Sequence, residues 1–168
     1  MNRKLNTMTK KEQLPFVTVK RIKEIFFSIN ESLLDDLSKT IKIDMGQEFG
    51  FVLEDNLVGL TLRMFYHYPN DLQNYLAEIN VQNIFEIENL KHFLVNETEI
   101  RLPPETITTI VGESIAHLRA LLAKNLFGTA LQEKLPTLVD PREVANYFYP
   151  QMFEADTSIE QLIKDANF

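Results

Sequence analysis

Between Val58 and Tyr68 every second residue is large and apolar: Val58, Leu60, Leu62, Met64, Tyr66 and Tyr68. The intervening positions include Thr61, Arg63, Phe65 and His67. Successive side chains of a strand point to opposite faces of a sheet, whereas a helix returns its apolar residues every three or four positions, so this stretch predicts a long strand with one buried face. A strand of that kind needs neighbours on its edges and an apolar cover on its buried side.

The neighbours are legible on both sides. Ile41, Ile43 and Met45 alternate with Thr40, Lys42 and Asp44, which predicts a second half-buried strand. A first strand is expected from Ile22 to Ile29, with Ile25, Phe27 and Ile29 on one face and Lys23 on the same side near its start. Asp55-Asn56 and Pro69-Asn70-Asp71 supply turn chemistry around the long strand. Beyond the second turn, Tyr75, Ala77, Ile79 and Val81 alternate with Leu76, Glu78, Asn80 and Gln82, giving a fourth strand. Four strands joined by short turns predict an antiparallel meander.

The cover lies further along. From Glu105 to Asn125 the residues Ile107, Ile110, Val111, Ile115, Leu118, Leu121 and Leu122 fall at helical spacing in one apolar stripe. Pro103 and Pro104 precede it and Gly128 follows it, in the places where a helix tolerates them. A helical turn or two is expected around Leu90, Phe93 and Leu94, and Pro141 is expected to open a short helix carrying Val144, Tyr147 and Phe148. Thr157-Ser158-Ile159-Glu160 reads as a capping box in the tail. The fold class is therefore α+β: a four-stranded antiparallel sheet packed by one long helix and short C-terminal helices. The expected organisation is a polar leader over residues 1–15, one domain over 16–150 and a tail over 151–168.

Composition removes several function classes. Seventeen Lys and Arg against 24 Asp and Glu leave a net charge of -7, which repels nucleic-acid phosphates and anionic lipid heads. The basic group Lys20, Arg21 and Lys23 sits beside Glu24 and reads as a solvated strand edge. Without cysteine there is no disulfide, thiolate nucleophile or cysteine-ligated metal. No secretory signal precedes Pro15 and no long uncharged run suits a membrane span, so a cytoplasmic protein without membrane insertion is expected. His67, His92 and His117 lie outside metal-ligand spacing of one another. Gly112-Glu113-Ser114 falls inside the helical stripe and not on the strand-to-helix turn that a nucleophile elbow needs. Nothing supports a catalytic site or a cofactor, and the chain is expected not to be an enzyme. Phe26, Phe49, Phe51, Phe65, Tyr66 and Tyr68 are divided between strand faces, which predicts an interface between copies on the second face of the sheet.

Several local runs, in order, resemble the SecB family of tetrameric chaperones, which hold preproteins unfolded for export. Val19-Lys20 through Lys23-Glu24-Ile25-Phe26-Phe27 resembles the family's first strand, and Leu60-Thr61-Leu62-Arg63 its third. Tyr75-Leu76-Ala77-Glu78-Ile79 with Ile84-Phe85-Glu86-Ile87 resembles its fourth. Asn83 and Asn89 stand where the family tends to place glycine, and asparagine tolerates the left-handed backbone best after glycine. Leu135-Pro136-Thr137-Leu138-Val139-Asp140-Pro141 is similar to the family's crossover. The chain departs from the pattern at Glu105-Thr106-Ile107-Thr108, where the family has an aromatic-proline run, and at Thr129 to Lys134, which reads as an insertion.

The resemblance implies an ATP-independent holding chaperone for unfolded polypeptide clients, assembled as a homotetramer, a dimer of dimers. It implies contact with the export motor SecA through positions matching Glu24, Leu76 and Glu78, with Ser28 standing where the family has a further acid. Expected groove residues are Phe85, Leu126, Phe127, Leu135 and Leu138, each of which could equally belong to the core, Phe85 most of all. Two rival readings remain. One is an adaptor dedicated to a single client such as an antitoxin; the other is a small-molecule protein using Arg63 and His67 on the less apolar face of the long strand.

Overall fold

The computed structural model describes residues 14–34, 39–71 and 73–154. Its centre is a four-stranded antiparallel sheet of β1 (Val17–Ile29), β2 (Lys42–Val52), β3 (Leu57–His67) and β4 (Ala77–Ile87). A two-stranded hairpin, β5 (Leu94–Asn96) and β6 (Glu99–Ile100), leads into α1 (Pro104–Leu126), and α2 (Pro141–Phe148) follows a long crossover. The leader before Leu14 and the capping box at Thr157 lie outside the described residues.

The strand order is β1-β4-β3-β2. Only β2, β3 and β4 form the expected meander; β1 pairs with the far side of β4, so β1 and β2, consecutive in the chain, lie at opposite edges of the sheet. Just after β1 the chain is pinned where the Asn30 amide donates to the Leu76 carbonyl and the Tyr68 hydroxyl donates to the Leu33 carbonyl. Periodicity identifies strands but says little about which of them become neighbours.

β3 and β4 are buried at alternate positions as the sequence dictates. Val58, Leu60, Leu62, Met64 and Tyr66 face Phe85, Asn83, Val81, Ile79 and Ala77 in register, and all ten side chains are buried. Helix α1 lies on this face and presents Ile107, Ile110, Val111, Leu118 and Leu122 to it. Asn56, in the left-handed region at φ 55, turns the chain from β2 into β3. Its carbonyl accepts from the Ile87 amide and its Oδ1 from the Leu90 amide, which ties the start of β3 to the end of β4.

Four expectations are corrected in detail. β1 starts at Val17, and irregularities between Val19 and Arg21 and between Glu24 and Phe26 interrupt the simple alternation. Ile25 consequently stands in a bulge at 48% exposure while Phe27 and Ile29 pack against the core, and Lys23 falls opposite Gln82 on the other face. β2 runs on to Val52, through Gly46 and Gly50, which hid its second half from a propensity reading. β4 begins at Ala77 and continues to Ile87. Asn83 does not use its tolerance of left-handed backbone: it sits buried inside β4, where its Oδ1 lies 2.8 Å from His117 Nδ1 on α1, and it is Asn89 that adopts φ 57.

The other elements follow their local signals. Leu90–Phe93 is a 3-10 turn. Asp140 caps α2, accepting from the Arg142 amide at 2.8 Å, and Pro141 occupies the first turn where its missing N–H is harmless. Ser114 is wholly buried within α1, as a core position of a helix and not an exposed elbow.

Candidate functional site

The crossover between α1 and α2 has no regular secondary structure over residues 134–140 and passes close to the outer edge of β2. A cavity of about 380 Å³ separates the two. Ile41, Ile43 and Met45 form one wall, Leu135, Thr137 and Val139 the other, and Met64 and Ile115 come from the core side. Known ligand sites span ~300–1,000 Å³, so this slot admits a few side chains and not a folded partner.

Two hydrogen bonds hold the crossover in place. The Tyr66 hydroxyl, on β3, donates to the Lys134 carbonyl at 2.9 Å, and the Arg119 guanidinium, on α1, donates to the Pro136 carbonyl. Burial pushes the Tyr66 phenol up to about 12, against a smaller opposing influence of Arg119, so at neutral pH it is a fixed donor. Arg119 and Pro136 line the slot themselves. Its apolar lining is thus carried on a segment anchored at two carbonyls, with α2 continuing immediately after it.

The same edge of β2 is held farther along. The Tyr149 hydroxyl donates to Gln47 Oε1 at 2.6 Å and its ring lies 5.4 Å from that of Phe49. Burial also raises the Tyr149 phenol above its ordinary range. At the near end, His67 is 1% exposed and sets Nε2 2.9 Å from Asp44 Oδ2 on β2 and Nδ1 2.9 Å from the Tyr68 carbonyl.

The expected groove residues divide. Phe85 and Leu126 are completely buried and belong to the core. Leu135 lines the slot at 39% exposure. Leu138 lies between two lining residues but is itself 85% exposed and outside the slot, and Phe127 stands free at the end of α1. The remaining lining residues were not singled out as groove by sequence. Ile41, Ile43 and Met45 were legible as a strand face, but that the strand would be an edge, with its face only half covered, depended on the sheet order.

The residues expected to meet SecA are not brought together. Glu24 pairs across from Val81 and so shares the helix-covered face, where the Asn125 side-chain amide donates to it at 2.7 Å. Glu78 lies on the opposite face, bonded to Arg63 Nε at 2.7 Å, and Leu76 is wholly buried. Ser28 and Glu78 are direct cross-strand partners and line one shallow polar depression.

Arg63 and His67 likewise form no convergent pocket. The Arg63 guanidinium is committed to Glu78 and to the rings of Phe65 and Tyr75, at 5.3 and 5.5 Å, while His67 is enclosed by its two acceptors. Among the described residues no group of three or more His, Asp or Glu is placed to hold a metal ion, and no helix is long and apolar enough to cross a membrane.

No family model and no curated protein sequence matches the chain. Among solved structures, the fold is similar to that of the SecB-like chaperone Rv1957 of Mycobacterium tuberculosis, determined in complex with a ChAD peptide from the HigA1 antitoxin Rv1956. The match has a TM-score of 0.52 at 11% identity and covers 73% of this chain and 89% of the other. The chain therefore has a SecB-like fold: a four-stranded antiparallel sheet, one long helix and a short C-terminal helix.

Proposed function

We propose that this protein is an ATP-independent holding chaperone that binds extended, apolar segments of unfolded polypeptides in the slot between β2 and the crossover. The observation that carries the reading is the slot itself: aliphatic walls, one built on an edge strand and one on a crossover tethered at two carbonyls. The similarity in fold to a chaperone solved with a client-derived peptide supports it.

Magnitudes shape the reading further. Three aliphatic side chains entering the slot contribute about 1.5–3 kcal/mol each, roughly 5–9 in all. Association and ordering of a flexible segment cost ~4–15 kcal/mol, so one slot gives weak, reversible binding. Several slots on one assembly raise avidity by ~10²–10⁴ without any new contact. The homotetramer implied by the resemblance answers this need. Its natural seam in our reading is β1, where Val19 and Ile22 on one face, Phe26 on the other and Ile25 in the bulge are all 40–48% exposed.

A dedicated adaptor for one client, such as an antitoxin, is the second reading, favoured by the small volume of the slot. Export and hand-over to SecA form a third layer, for which Ser28 and Glu78 on one face offer a contact and Glu24 does not. The test is light scattering of two unrelated denatured reporter proteins diluted into buffer with excess chaperone. Suppression for both, lost in Leu135→Asp, supports general holding; protection of neither, with tight binding of one natural client, leaves the adaptor; protection that survives Leu135→Asp removes the slot from the account.

A further inference from the structure

The sheet has a second face, turned away from α1, and one end of it is nearly bare. There Gly50 of β2 stands directly opposite Gly59 of β3, with Ile84 of β4 next in the row. Apart from its chain neighbours, no heavy atom lies within 4 Å of the place where a Cβ on Gly50 would stand, and the nearest to one on Gly59 is Ile84 Cδ1 at 3.4 Å. Val52 and Leu57, paired across the same two strands, border this notch, and Val52 is 47% exposed. Glycine inside a strand leaves the backbone open to close approach by another chain.

The chain itself enters the sheet at this end. Phe16 is held to the end of β4, its carbonyl accepting from the Glu88 amide at 3.0 Å, and its ring is 72% exposed. Phe16 and Thr18 share with Glu86 and Glu88 a depression of about 490 Å³ that reaches Asn56 in the turn from β2 to β3. Residues 1–13 precede this point. They carry Arg3, Lys4, Lys10 and Lys11 against Glu12, a charge of +3, and so leave -10 on residues 14–168. Acids flank both the depression and the notch: besides Glu86 and Glu88, Glu54 and Asp55 stand in the β2–β3 turn, and Glu48 lies two residues from Gly50 on the same face. Lys20 offsets part of this at Glu86, 2.7 Å away, while Arg21 and Lys23 stand on β1, the strand that the leader precedes.

We propose that the leader, residues 1–13, folds back across this face of the sheet and covers the notch at Gly50 and Gly59. Its reach is sufficient: residues 1–13 extend up to about 40 Å at ~3.3 Å each, whereas β1 and β2 are separated by three strand spacings of ~4.8 Å, about 14 Å in all. Leu5 and Met8 offer apolar contact to Val52, Leu57 and Ile84, and the bases on either side of them meet the acids that flank the notch. Opposite charges in contact with water gain little each and are screened by salt, so the cover is reversible. It closes a bare sheet face that a second copy would otherwise meet, and it leaves the slot between β2 and the crossover open. Nothing in it depends on what the slot binds.

The chain has no cysteine, so a single introduced thiol reports its own surroundings. Val52→Cys and, separately, Gly50→Cys place one on the covered face, where neither side chain displaces a core contact; Leu138→Cys places a reference on the crossover, at a site 85% exposed. Each is made in the full chain, with and without the pair Lys10→Glu and Lys11→Glu, and maleimide labelling rates are measured at low salt and at about 1 M salt, where charges are screened beyond ~3 Å. The cover predicts slow labelling at positions 50 and 52, made roughly two- to tenfold faster by the charge reversal and by salt alike, with no change at position 138. Carbodiimide coupling of isotope-labelled and unlabelled copies refolded together then locates the contact: links from Lys10 or Lys11 to Glu48, Glu54, Asp55, Glu86 or Glu88 within one copy are expected. Labelling that is the same with and without the reversal overturns the proposal, because the face is then either open or covered by something else. Links that join labelled to unlabelled copies, or that run only to acids elsewhere on the molecule, overturn it as well.

Discussion

β1 and β2 bound the same sheet and share its twist, yet their sequences treat exposure in opposite ways. β1 breaks its ladder twice, projects three basic side chains and leaves Val19, Ile22, Ile25 and Phe26 partly exposed. β2 keeps an unbroken register with β3, half-buries Ile43, Met45, Phe49 and Phe51, and has a cavity and a tethered segment at its flank. The difference teaches that an apolar edge can serve two ends. Where bulges and charges prevent straight backbone pairing, the remaining apolar side chains suit a fixed interface between copies; where the ladder is unbroken and flanked by a slot, the slot suits a partner that comes and goes.

The sharpest way to break that contrast is on β1. Ile22→Lys with Phe26→Lys places charges on both of its faces, and the assembled species should fall to the 19.5 kDa monomer in multi-angle light scattering, with circular dichroism unchanged because neither side chain is in the core. A wild-type protein that is already monomeric, or a variant that stays assembled, would remove the interface from β1.

Next in size is a change on β2. Ile43→Asp puts a carboxylate on the slot wall and should weaken client binding about 10–100-fold, from the loss of ~1.5–3 kcal/mol of apolar burial. The double β1 variant should lose avidity instead, keeping the affinity of a single slot. If both variants weaken a monovalent peptide equally, the two edges are not distinct in function.

A smaller effect concerns the tie behind the slot. Tyr66→Phe removes the bond to the Lys134 carbonyl and should cost about 0.5–1.5 kcal/mol in urea denaturation. It should also change the alkaline limb of the stability curve. The folded-state value of Tyr66 is raised from 10.0 to about 12, so the fold favours the neutral phenol; that stabilisation is complete below pH 10 and is lost as pH climbs towards and through 12. Tyr149, raised for the same reason of burial, persists in the variant, so the alkaline loss should become shallower without vanishing. An unchanged alkaline limb would show that the Tyr66 ring is not confined as described.

The smallest effect belongs to the charges of β1. Lys20 lies 2.7 Å from Glu86, but both side chains are more than 40% exposed, and Lys20→Ala should alter stability by no more than ~0.5 kcal/mol. A loss well beyond that would mean the pair is buried by a partner copy.

Much of this was legible in the chain. The period of two from Val58 to Tyr66 and from Ala77 to Ile87, and the period near 3.6 through Ile107, Val111, Leu118 and Leu122, are consequences of the geometry of strand and helix alone, and they fix what must be buried. Asp140 and Pro141 mark the start of α2 by the same local logic. The candidate site was less legible. Leu135 was singled out by the crossover-like run that it opens, whereas Leu126, singled out with it, and Phe85, the candidate most expected in the core, are both buried there. Burial of an apolar residue depends on what is laid over it, and one sequence does not say what that will be.

What the sequence by itself determined is therefore the set of elements and the face each must bury, since side-chain period is set by backbone geometry within a few residues. What only the tertiary structure decided is the order of the strands: β1 closing on β4 makes β2 an edge, brings the crossover beside it and opens the slot between them. Strand pairing joins residues far apart in the chain, such as Val19 with Phe85, and no local preference at either position specifies the other.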